Sequence, residues 1–421
     1  MKLSADRLTA ARLLMRVEKG AFSSRLFAGG GVAPAARVRV LEVLRWLRAL
    51  DVVLNLRCRR DLASLDAEVR AALRIGLVEV VRFGLPPALA TDGAVRLTRR
   101  LGKTSASGMV NAVLRKAAAE WRETLAKSTV DVQFSHPSWL FNRWSENFGE
   151  EAVEQCMAAA QERAVTWAWF FDDLGPEELR LNGVVLEAHP WCPGAWSAPA
   201  DAPRLVEAVR KGSAYAQDPS SQLVAHVAAA KAGDNDRVLD LCAAPGGKSA
   251  LMLQIARWRR AAAADLQPTR ARLMRGTLER AGDCAVIAAD ARCPPFAAGD
   301  WDLVLLDAPC TGTGTFRRHP ELKWRLRADS VKELASKQRE LLLSGLELVA
   351  PGGVLLYATC SVEPEENEGV VADLPSGFEH EDLASSLPEG APWIPTSAAG
   401  ARILPNPDGD GFTMHLIRRT S

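Results

Sequence analysis

Residues 1–127 carry their apolar side chains three and four residues apart, the spacing of one face of a helix. The positions that show it are Leu8, Ala11, Leu14, Met15, then Val40, Val43, Leu44, Leu47, then Val69, Leu73, Leu77 and Val80. Gly and Pro fall at the joints between these stretches, and no run alternates as a strand does. The pattern predicts an all-helical domain over residues 1–128.

A mixed pattern follows over residues 129–214. Trp139 to Gln161 reads as one amphipathic helix, and Thr166 to Phe171 as a strand. The stretch from His189 to Pro203 has no clear period and is expected to be irregular. These features predict a small α+β module over residues 129–214 that links the flanking domains.

From residue 215 to residue 421, short apolar strands alternate with longer helical stretches. The predicted strands are Arg237–Leu241, Ala261–Asp265, Ala285–Ala289, Asp302–Asp307, Gly353–Thr359 and Thr413–Ile417. This rhythm is typical of a parallel, doubly wound α/β sheet of the Rossmann-like type. The chain is therefore predicted to be a multidomain protein.

The charge of the chain is unevenly distributed. Its 421 residues have a net charge of only +1, but residues 1–127 hold 24 Lys and Arg against 11 Asp and Glu, and the remainder holds 28 against 40. A basic segment joined to an acidic one indicates a phosphate-binding module beside an enzyme core. A solvated, arginine-rich helical surface is the alternative.

The cysteines show no CxxC pair and no repeating spacing. They are Cys58, Cys156, Cys192, Cys242, Cys284, Cys293, Cys310 and Cys360. This usage argues against a disulfide framework and a metal cluster, and favours free thiols in a reducing cytoplasm. No apolar run reaches the ~20 residues of a membrane helix, so no membrane association is expected.

The letters VLDLCAAPGGKS, residues 238–249, describe a buried strand that enters a helix through a turn of small residues. Glycines there let a ligand approach the backbone at the carboxyl end of the strand. Asp240, Asp265, Asp290 and Asp307 each end a predicted strand and could bind ribose hydroxyls or an adenine amine. An adenosine-containing ligand follows, although aspartate also caps strand ends for structural reasons alone.

Two further strands each end close to a cysteine. Cys310 lies in LLDAPCTGTG, residues 305–314, and Cys360 lies in LYATCSVEP, residues 356–364. If these strands are sheet neighbours, separated by ~4.8 Å, the two thiols meet at one cleft. Buried free cysteines are more often inert packing residues.

The segments QDPSSQ, CAAPGGK, DAPCTGTG, RRHPELKW, ATCSVEPEENE and DGDGF occur in this order between Gln217 and Phe412. Together they closely resemble the S-adenosylmethionine-dependent RNA cytosine-5 methyltransferases of the RsmB/Sun (Fmu) and Nop2/Nsun superfamily. The helical start, with GMVNAVLR at residues 108–115, is similar to the NusB-like RNA-binding domain of the bacterial RsmB branch.

The resemblance implies S-adenosylmethionine as the cofactor and assigns roles by position. Cys360 would be the nucleophile that adds to cytosine C6, Cys310 would assist product release, and Asp307 would hydrogen-bond the base. The reverse assignment of the two thiols stays open, because DNA cytosine methyltransferases use the Pro-Cys cysteine as nucleophile. The implied cofactor contacts are Cys242, Ala243, Ala244, Pro245, Gly246, Gly247, Lys248, Asp265, Asp290 and Asp307.

The resemblance also implies an RNA substrate, with 16S rRNA as the first expectation and tRNA as the alternative, and an RNA-contacting role for the module of residues 129–214. Arg317, Arg318 and Lys323 follow the DAPC loop and are expected to meet phosphate, although they could form a solvated helix start. A non-catalytic RNA-binding or assembly protein is a further alternative. No obligate protein partner is evident from the sequence.

Overall fold

The computed structural model describes residues 5–28, 31–231, 233 and 236–420. The helices are α1 (Ala5–Glu18), α2 (Ser23–Ala28), α3 (Pro34–Arg45), α4 (Leu47–Asn55), α5 (Ala67–Val81), α6 (Pro87–Arg100), α7 (Ser107–Ala126), α8 (Val130–Gln133), α9 (Ser138–Phe148), α10 (Glu150–Gln161), α11 (Leu174–Leu181), α12 (Ala202–Lys211), α13 (Pro219–Ala230), α14 (Gly247–Ile255), α15 (Pro268–Ala281), α16 (Leu322–Arg325), α17 (Ala328–Leu348) and α18 (Glu368–Val371).

The strands are β1 (Ala168–Phe170), β2 (Glu187–Ala188), β3 (Trp196–Ser197), β4 (Ala214–Ala216), β5 (Asp236–Asp240), β6 (Trp258–Asp265), β7 (Ala285–Ala288), β8 (Trp301–Asp307), β9 (Val349–Thr359), β10 (Phe378–Glu381), β11 (Trp393–Pro395), β12 (Ala401–Ile403) and β13 (Phe412–Arg419). The chain forms two compact units. The helical unit comprises residues 1–163 and 316–325, and the sheet unit comprises residues 164–315 and 326–421.

The helical unit contains α1–α10 and α16, and its described residues include no strand, as the apolar spacing predicts. The faces that carry the apolar repeats form one core, in which Val40, Leu73, Leu77 and Leu114 are almost fully buried. The predicted helix over 139–161 is two helices, because Gly149 between α9 and α10 has a φ of 83°, which breaks the helical path.

Residues 316–325 belong to the helical unit although they follow the DAPC loop in sequence. The ring of Phe316 stacks on Trp144 with centroids 5.8 Å apart. The indole Nε1 of Trp324 donates to the Leu44 carbonyl at 2.7 Å, and Ser23 Oγ donates to Glu321 Oε1 at 2.6 Å. The segment is therefore anchored by both apolar and polar contacts.

The large sheet of the sheet unit has the strand order β11-β12-β13-β9-β8-β5-β6-β7, with β10 paired to β13. Strands β9, β8, β5, β6 and β7 are parallel, and β13 joins β9 in the antiparallel direction. Alternate residues enter two different cores: Leu303 and Leu305 lie in one, and Val304 and Leu306 in the other. A parallel sheet buried on both faces requires such continuously apolar strands.

The six strands predicted from the sequence are β5, β6, β7, β8, β9 and β13, each displaced or extended by a few residues. The doubly wound α/β class is thereby confirmed. The strand predicted over 166–171 is the shorter β1, which lies in a separate antiparallel sheet of order β2-β3-β1-β4. The contacts divide the predicted module of residues 129–214 between the two units, and its status as a separate domain stays a prediction.

Among the described helices, none is both long and apolar enough to cross a membrane.

Candidate active site

The turn between β5 and α14 depends on two glycines without side chains. Gly246 has a φ of 98°, and a Cβ on it would lie 2.9 Å from Met274 Cβ. A Cβ on Gly247 would lie 2.5 Å from the ring of Tyr215. Real Cβ contacts are not this close, so a residue larger than glycine at either position would displace the turn. The two glycines thus let the backbone of residues 242–248 lie close to the edge of the sheet.

Asp240, the last residue of β5, forms hydrogen bonds to residues on both sides of the glycine turn. Its Oδ2 accepts a hydrogen bond from Ser249 Oγ at 2.6 Å, and its Oδ1 accepts one from the Cys242 amide at 3.3 Å. Burial raises the pKa of Asp240 to about 7, although the Ser249 hydrogen bond opposes the shift. The carboxyl therefore titrates close to neutral pH.

Asp265 and Asp290 end neighbouring strands, but their carboxylates have different partners. Asp265 is buried, and its Oδ1 accepts from the Gln267 amide at 3.0 Å, while its Oδ2 lies 3.5 Å from Arg270. Both oxygens of Asp290 accept from the guanidinium of Arg292, which lowers the pKa of Asp290 to about 2. Asp265 thus has the more available carboxylate of the two.

Lys248 and Asp307 form an ion pair beside the loop. Lys248 Nζ donates to Asp307 Oδ2 at 2.6 Å. Burial lowers the pKa of Lys248, but the charge and hydrogen bond of Asp307 outweigh burial and the net pKa is raised. The ammonium also interacts electrostatically with Cys360, so it places positive charge beside that sulfur.

A small cavity of about 150 Å³ lies beside Asp240, Lys248 and Asp307, and its lining does not include Asp265 or Asp290. It is lined by Tyr215, Ala216, Gln217, Ser221, Asp240, Ala243, Ala244, Pro245, Gly247, Lys248 and Asp307. Most of the residues predicted to bind a cofactor on the β5–α14 turn therefore line a single cavity.

The two thiols meet as the strand order predicts. Strands β8 and β9 are parallel neighbours with Asp307 opposite Ala358, and the Sγ atoms of Cys310 and Cys360 are 3.3 Å apart. The hydrogen bond to Cys360, together with burial, raises the pKa of Cys310 well above its usual range. Cys310 therefore keeps its proton at neutral pH and can donate a hydrogen bond to the neighbouring sulfur.

Glu366 also belongs to this site, and sequence reasoning did not single it out. It is fully buried on the turn Pro364–Glu366 after β9, and it accepts hydrogen bonds from Thr311 and Ser361, the residues that follow the two cysteines. A run of acids in the letters EPEENE was the available signal, but its pattern does not show which carboxylate points inward.

The three residues predicted to contact RNA phosphate all lie in the helical unit. Lys323 has 0% exposure, and its Nζ donates to the carbonyls of Arg45 at 3.0 Å and Ser135 at 2.9 Å. Arg317 is 4% exposed, and Arg318 is half-buried. Lys323 was expected to face solvent, but its ammonium is buried and donates to backbone carbonyls instead. Its contact with RNA stays a prediction.

All eight cysteines are free. Among the described residues, no group of three or more His, Cys, Asp and Glu side chains could hold a metal ion.

The parallel sheet, the small-residue turn at its carboxyl edge and the aligned strand-end acids define a methyltransferase of the S-adenosylmethionine-dependent class. Comparison with known proteins gives the family. Residues 227–417 match the model of the 16S rRNA methyltransferase RsmB/F family, and residues 4–119 match that of the NusB family. The chain belongs to the RsmB/F family, with a NusB domain at its start.

Two curated relatives support this membership. The ribosomal RNA small subunit methyltransferase B of Cronobacter sakazakii is 34% identical over 385 residues, which cover 88% of this chain and 86% of the relative. The protein of the same name from Escherichia coli O157:H7 is 31% identical over 388 residues, with coverage of 88% and 86%.

Two solved structures share the fold. The crystal structure of PH0851 superposes with a TM-score of 0.76 at 24% identity and covers 100% of both chains. NSun6 from Pyrococcus horikoshii, solved with SFG, has a TM-score of 0.57 at 19% identity and covers 68% of this chain and 98% of its own.

The described residues fit S-adenosylmethionine. The turn at Gly246 and Gly247 is a cradle that a Cβ would fill, and Asp265 offers a buried carboxylate at the adjoining strand end, where a ribose binds in this class of sheet. The cofactor of the chain is S-adenosylmethionine.

Proposed function

We propose that this protein transfers a methyl group to C5 of a cytosine in 16S rRNA through a covalent adduct with Cys360. The observation that carries the proposal is the pair of thiols 3.3 Å apart beside the Lys248–Asp307 ion pair. Methyl transfer to an oxygen or nitrogen needs no thiol, whereas C5 of cytosine is too weak a nucleophile unless a thiolate first adds at C6. The rRNA substrate is inferred from the names of the relatives.

In the first step the Cys360 thiolate bonds to C6, and the electron pair of the C5–C6 double bond moves toward C5 and the ring. The ammonium of Lys248 interacts electrostatically with the Cys360 sulfur. Asp307 lies at the end of the neighbouring strand, where its carboxylate can accept a hydrogen bond from the exocyclic amine of the base and so orient the ring. S-adenosylmethionine, when bound, supplies the methyl group that C5 takes up.

Release then requires two bonds to break. C5 loses its proton to water, the double bond reforms, and the bond between C6 and Cys360 Sγ breaks with its electron pair returning to sulfur. The Cys310 thiol, 3.3 Å away and protonated, donates a hydrogen bond to the departing thiolate. The two cysteines therefore have different roles: Cys360 attacks and Cys310 assists departure.

The RNA would bind to the basic helical unit. On α7, Gly108, Asn111, Arg115 and Lys116 are exposed, and concave surfaces of about 610 Å³ and 530 Å³ lie on its two sides. The second surface combines Arg59, Arg60 and Lys116 with an apolar floor that includes Leu65 and Met109. Cations can meet phosphates there, while the apolar floor offers bases a place to stack.

The target cytosine must be single-stranded or flipped out, because a base inside a duplex cannot reach a thiol in a cleft. The test is bisulfite sequencing of total RNA from a deletion strain, complemented by the wild type or by Cys360→Ser. We expect one 16S rRNA cytosine to lose its methyl group in the deletion strain and regain it only with the wild type. Loss at a tRNA position would assign the tRNA alternative, and no change in any RNA would contradict the methylation.

A further inference from the structure

Glu366 receives an unusually complete set of hydrogen bonds for a buried carboxylate. Its Oε1 accepts from the Thr311 amide at 2.9 Å and from Gln338 Nε2 at 3.0 Å. Its Oε2 accepts from Ser361 Oγ at 2.5 Å and from Thr311 Oγ1. The donors are two hydroxyls, a backbone amide and a side-chain amide, all of them uncharged, so this carboxylate is not one half of an ion pair with these partners.

The donors come from the two loops that carry the thiols. Thr311 is the residue after Cys310, and Ser361 is the residue after Cys360. Gln338 of α17 adds a third connection, because its Nε2 also donates to the carbonyl of Pro309, the residue before Cys310, at 2.9 Å. A single carboxylate therefore connects the backbones that flank both sulfur atoms.

The protonation state of Glu366 determines the direction of each hydrogen bond. A carboxylate only accepts, so the hydroxyl of Ser361 must donate to it, and the Ser361 oxygen is then free to accept from the Glu363 amide at 3.1 Å. Burial raises the pKa of Glu366, and the donor hydrogen bonds oppose that shift. A glutamine side chain at this position would direct its NH₂ group at one of the donors, and that hydrogen bond would be lost.

We propose that Glu366 is a positioning residue that holds Cys310 and Cys360 in register for thiol addition and release. The inference rests on the proposed function, since it concerns the same two thiols. A carboxylate that served only to fill the core would affect stability but would not change how fast the RNA adduct forms. Displacement of a reacting atom by about 1 Å can cost 10²-fold in rate, so a small shift of either loop is enough.

The main test compares Glu366→Gln, Glu366→Asp and the control Glu381→Gln in full-length protein. Glu381 is a carboxylate of the same unit that pairs with Lys231 and Arg418, and none of these three residues adjoins either thiol in the chain. Methylation of a 16S rRNA transcript gives kcat and KM, rapid-mixing experiments give the rate of adduct formation, and calorimetry gives the affinity for S-adenosylmethionine.

We expect kcat and the adduct rate of Glu366→Gln to fall by about 10²-fold, with KM and cofactor affinity within about twofold of the wild type. Glu366→Asp, which keeps the charge, should recover part of the rate, and Glu381→Gln should retain the wild-type rate even if its melting temperature falls. A Glu366→Gln rate within threefold of the wild type, or an equal loss in Glu381→Gln, would overturn the proposal.

Thr311 provides a second test that keeps Glu366 in place, should Glu366→Gln fail to fold. Thr311→Val removes the hydroxyl donor and keeps the shape, whereas Thr311→Ser keeps the donor. We expect the Val variant to form adduct about tenfold more slowly than the Ser variant, and equal rates would contradict the inference. If the wild type itself forms no RNA adduct, the proposed function fails and this inference fails with it, whereas an active wild type with unaffected variants refutes the positioning role alone.

Discussion

The Sγ atoms of Cys310 and Cys360 lie 3.3 Å apart at the ends of two neighbouring parallel strands, 50 residues apart in the chain. In the proposed mechanism, one sulfur forms the bond to the base and the other assists the departure of that sulfur. The division of labour can be tested by removing each sulfur separately.

Cys310→Ser is expected to accumulate a covalent RNA adduct, because addition and methyl uptake need only Cys360 while release is slowed. Cys360→Ser should form no adduct and transfer no methyl group, because a serine hydroxyl is not ionised at neutral pH. Denaturing gel electrophoresis after incubation with RNA and S-adenosylmethionine measures the adduct. The control is Cys293→Ser, an exposed thiol of the same unit. Adduct in Cys360→Ser alone would reverse the two roles.

Asp265→Ala should weaken S-adenosylmethionine binding by about 10- to 100-fold, the usual range for a lost hydrogen bond to a charged group. Asp290→Ala should weaken it less, because both oxygens of Asp290 already accept from Arg292. Calorimetry on the two variants and the wild type gives the dissociation constants. Equal affinity of Asp265→Ala and the wild type would remove the ribose contact from Asp265.

Asp240 should make the protein less stable as pH rises through the acidic range. Its folded-state pKa is raised from 3.8 to about 7, so the folded state binds more protons than the unfolded state between these values. The stabilisation by the neutral Asp240 carboxyl is fully present below pH 3.8 and is lost by about pH 7. Between these values the free energy of unfolding falls by about 1.4 kcal/mol per pH unit. Urea unfolding of the wild type and Asp240→Asn at pH 5, 6, 7 and 8 measures it. A difference between the two proteins that does not vary with pH would contradict the assignment.

Neutralising the basic surface beside α7 should reduce the salt dependence of RNA binding. Each phosphate contact contributes about 0.7 to 0.9 to the slope of log K against log salt, so the paired change Arg59→Gln with Arg60→Gln should lower the slope by up to about 1.8. The control removes the same charge from exposed residues of α15, with Arg272→Gln and Arg275→Gln. Fluorescence anisotropy with a 16S rRNA fragment gives both slopes, and equal slopes would show that the surface is only solvated.

Lys323→Met separates a structural role for this residue from the RNA contact predicted for it. Because the Lys323 ammonium donates to the carbonyls of Arg45 and Ser135, its loss leaves two buried acceptors unpaired, at a cost of about 1 to 3 kcal/mol each. Removal of the buried charge offsets only part of this cost. We therefore expect a lower melting temperature and an unchanged salt slope of RNA binding. A reduced salt slope at unchanged stability would instead assign Lys323 to the RNA.

The local parts of this molecule were predictable from the sequence. Helical and strand periods reflect which side of a single element is apolar, so six of the nine strands of the large sheet and the helices of the first domain could be located without a structure. The meeting of Cys310 and Cys360 was predictable for the same reason, since the usual winding of a parallel sheet makes β8 and β9 neighbours.

Only the tertiary structure determined which side chains pair across the fold. Gly149 breaks a helix that its apolar period favours, and Lys323 is buried although its place in a basic stretch predicts contact with RNA phosphate. The residues that bind Lys323 are 188 and 278 positions away in the chain. Glu366 stands in a run of acids whose members look alike in the sequence, and it accepts hydrogen bonds from the residues that follow both thiols. Periodicity is a property of one segment, whereas burial and hydrogen bonding depend on which segments fold together, and that is why the elements were predictable and these partners were not.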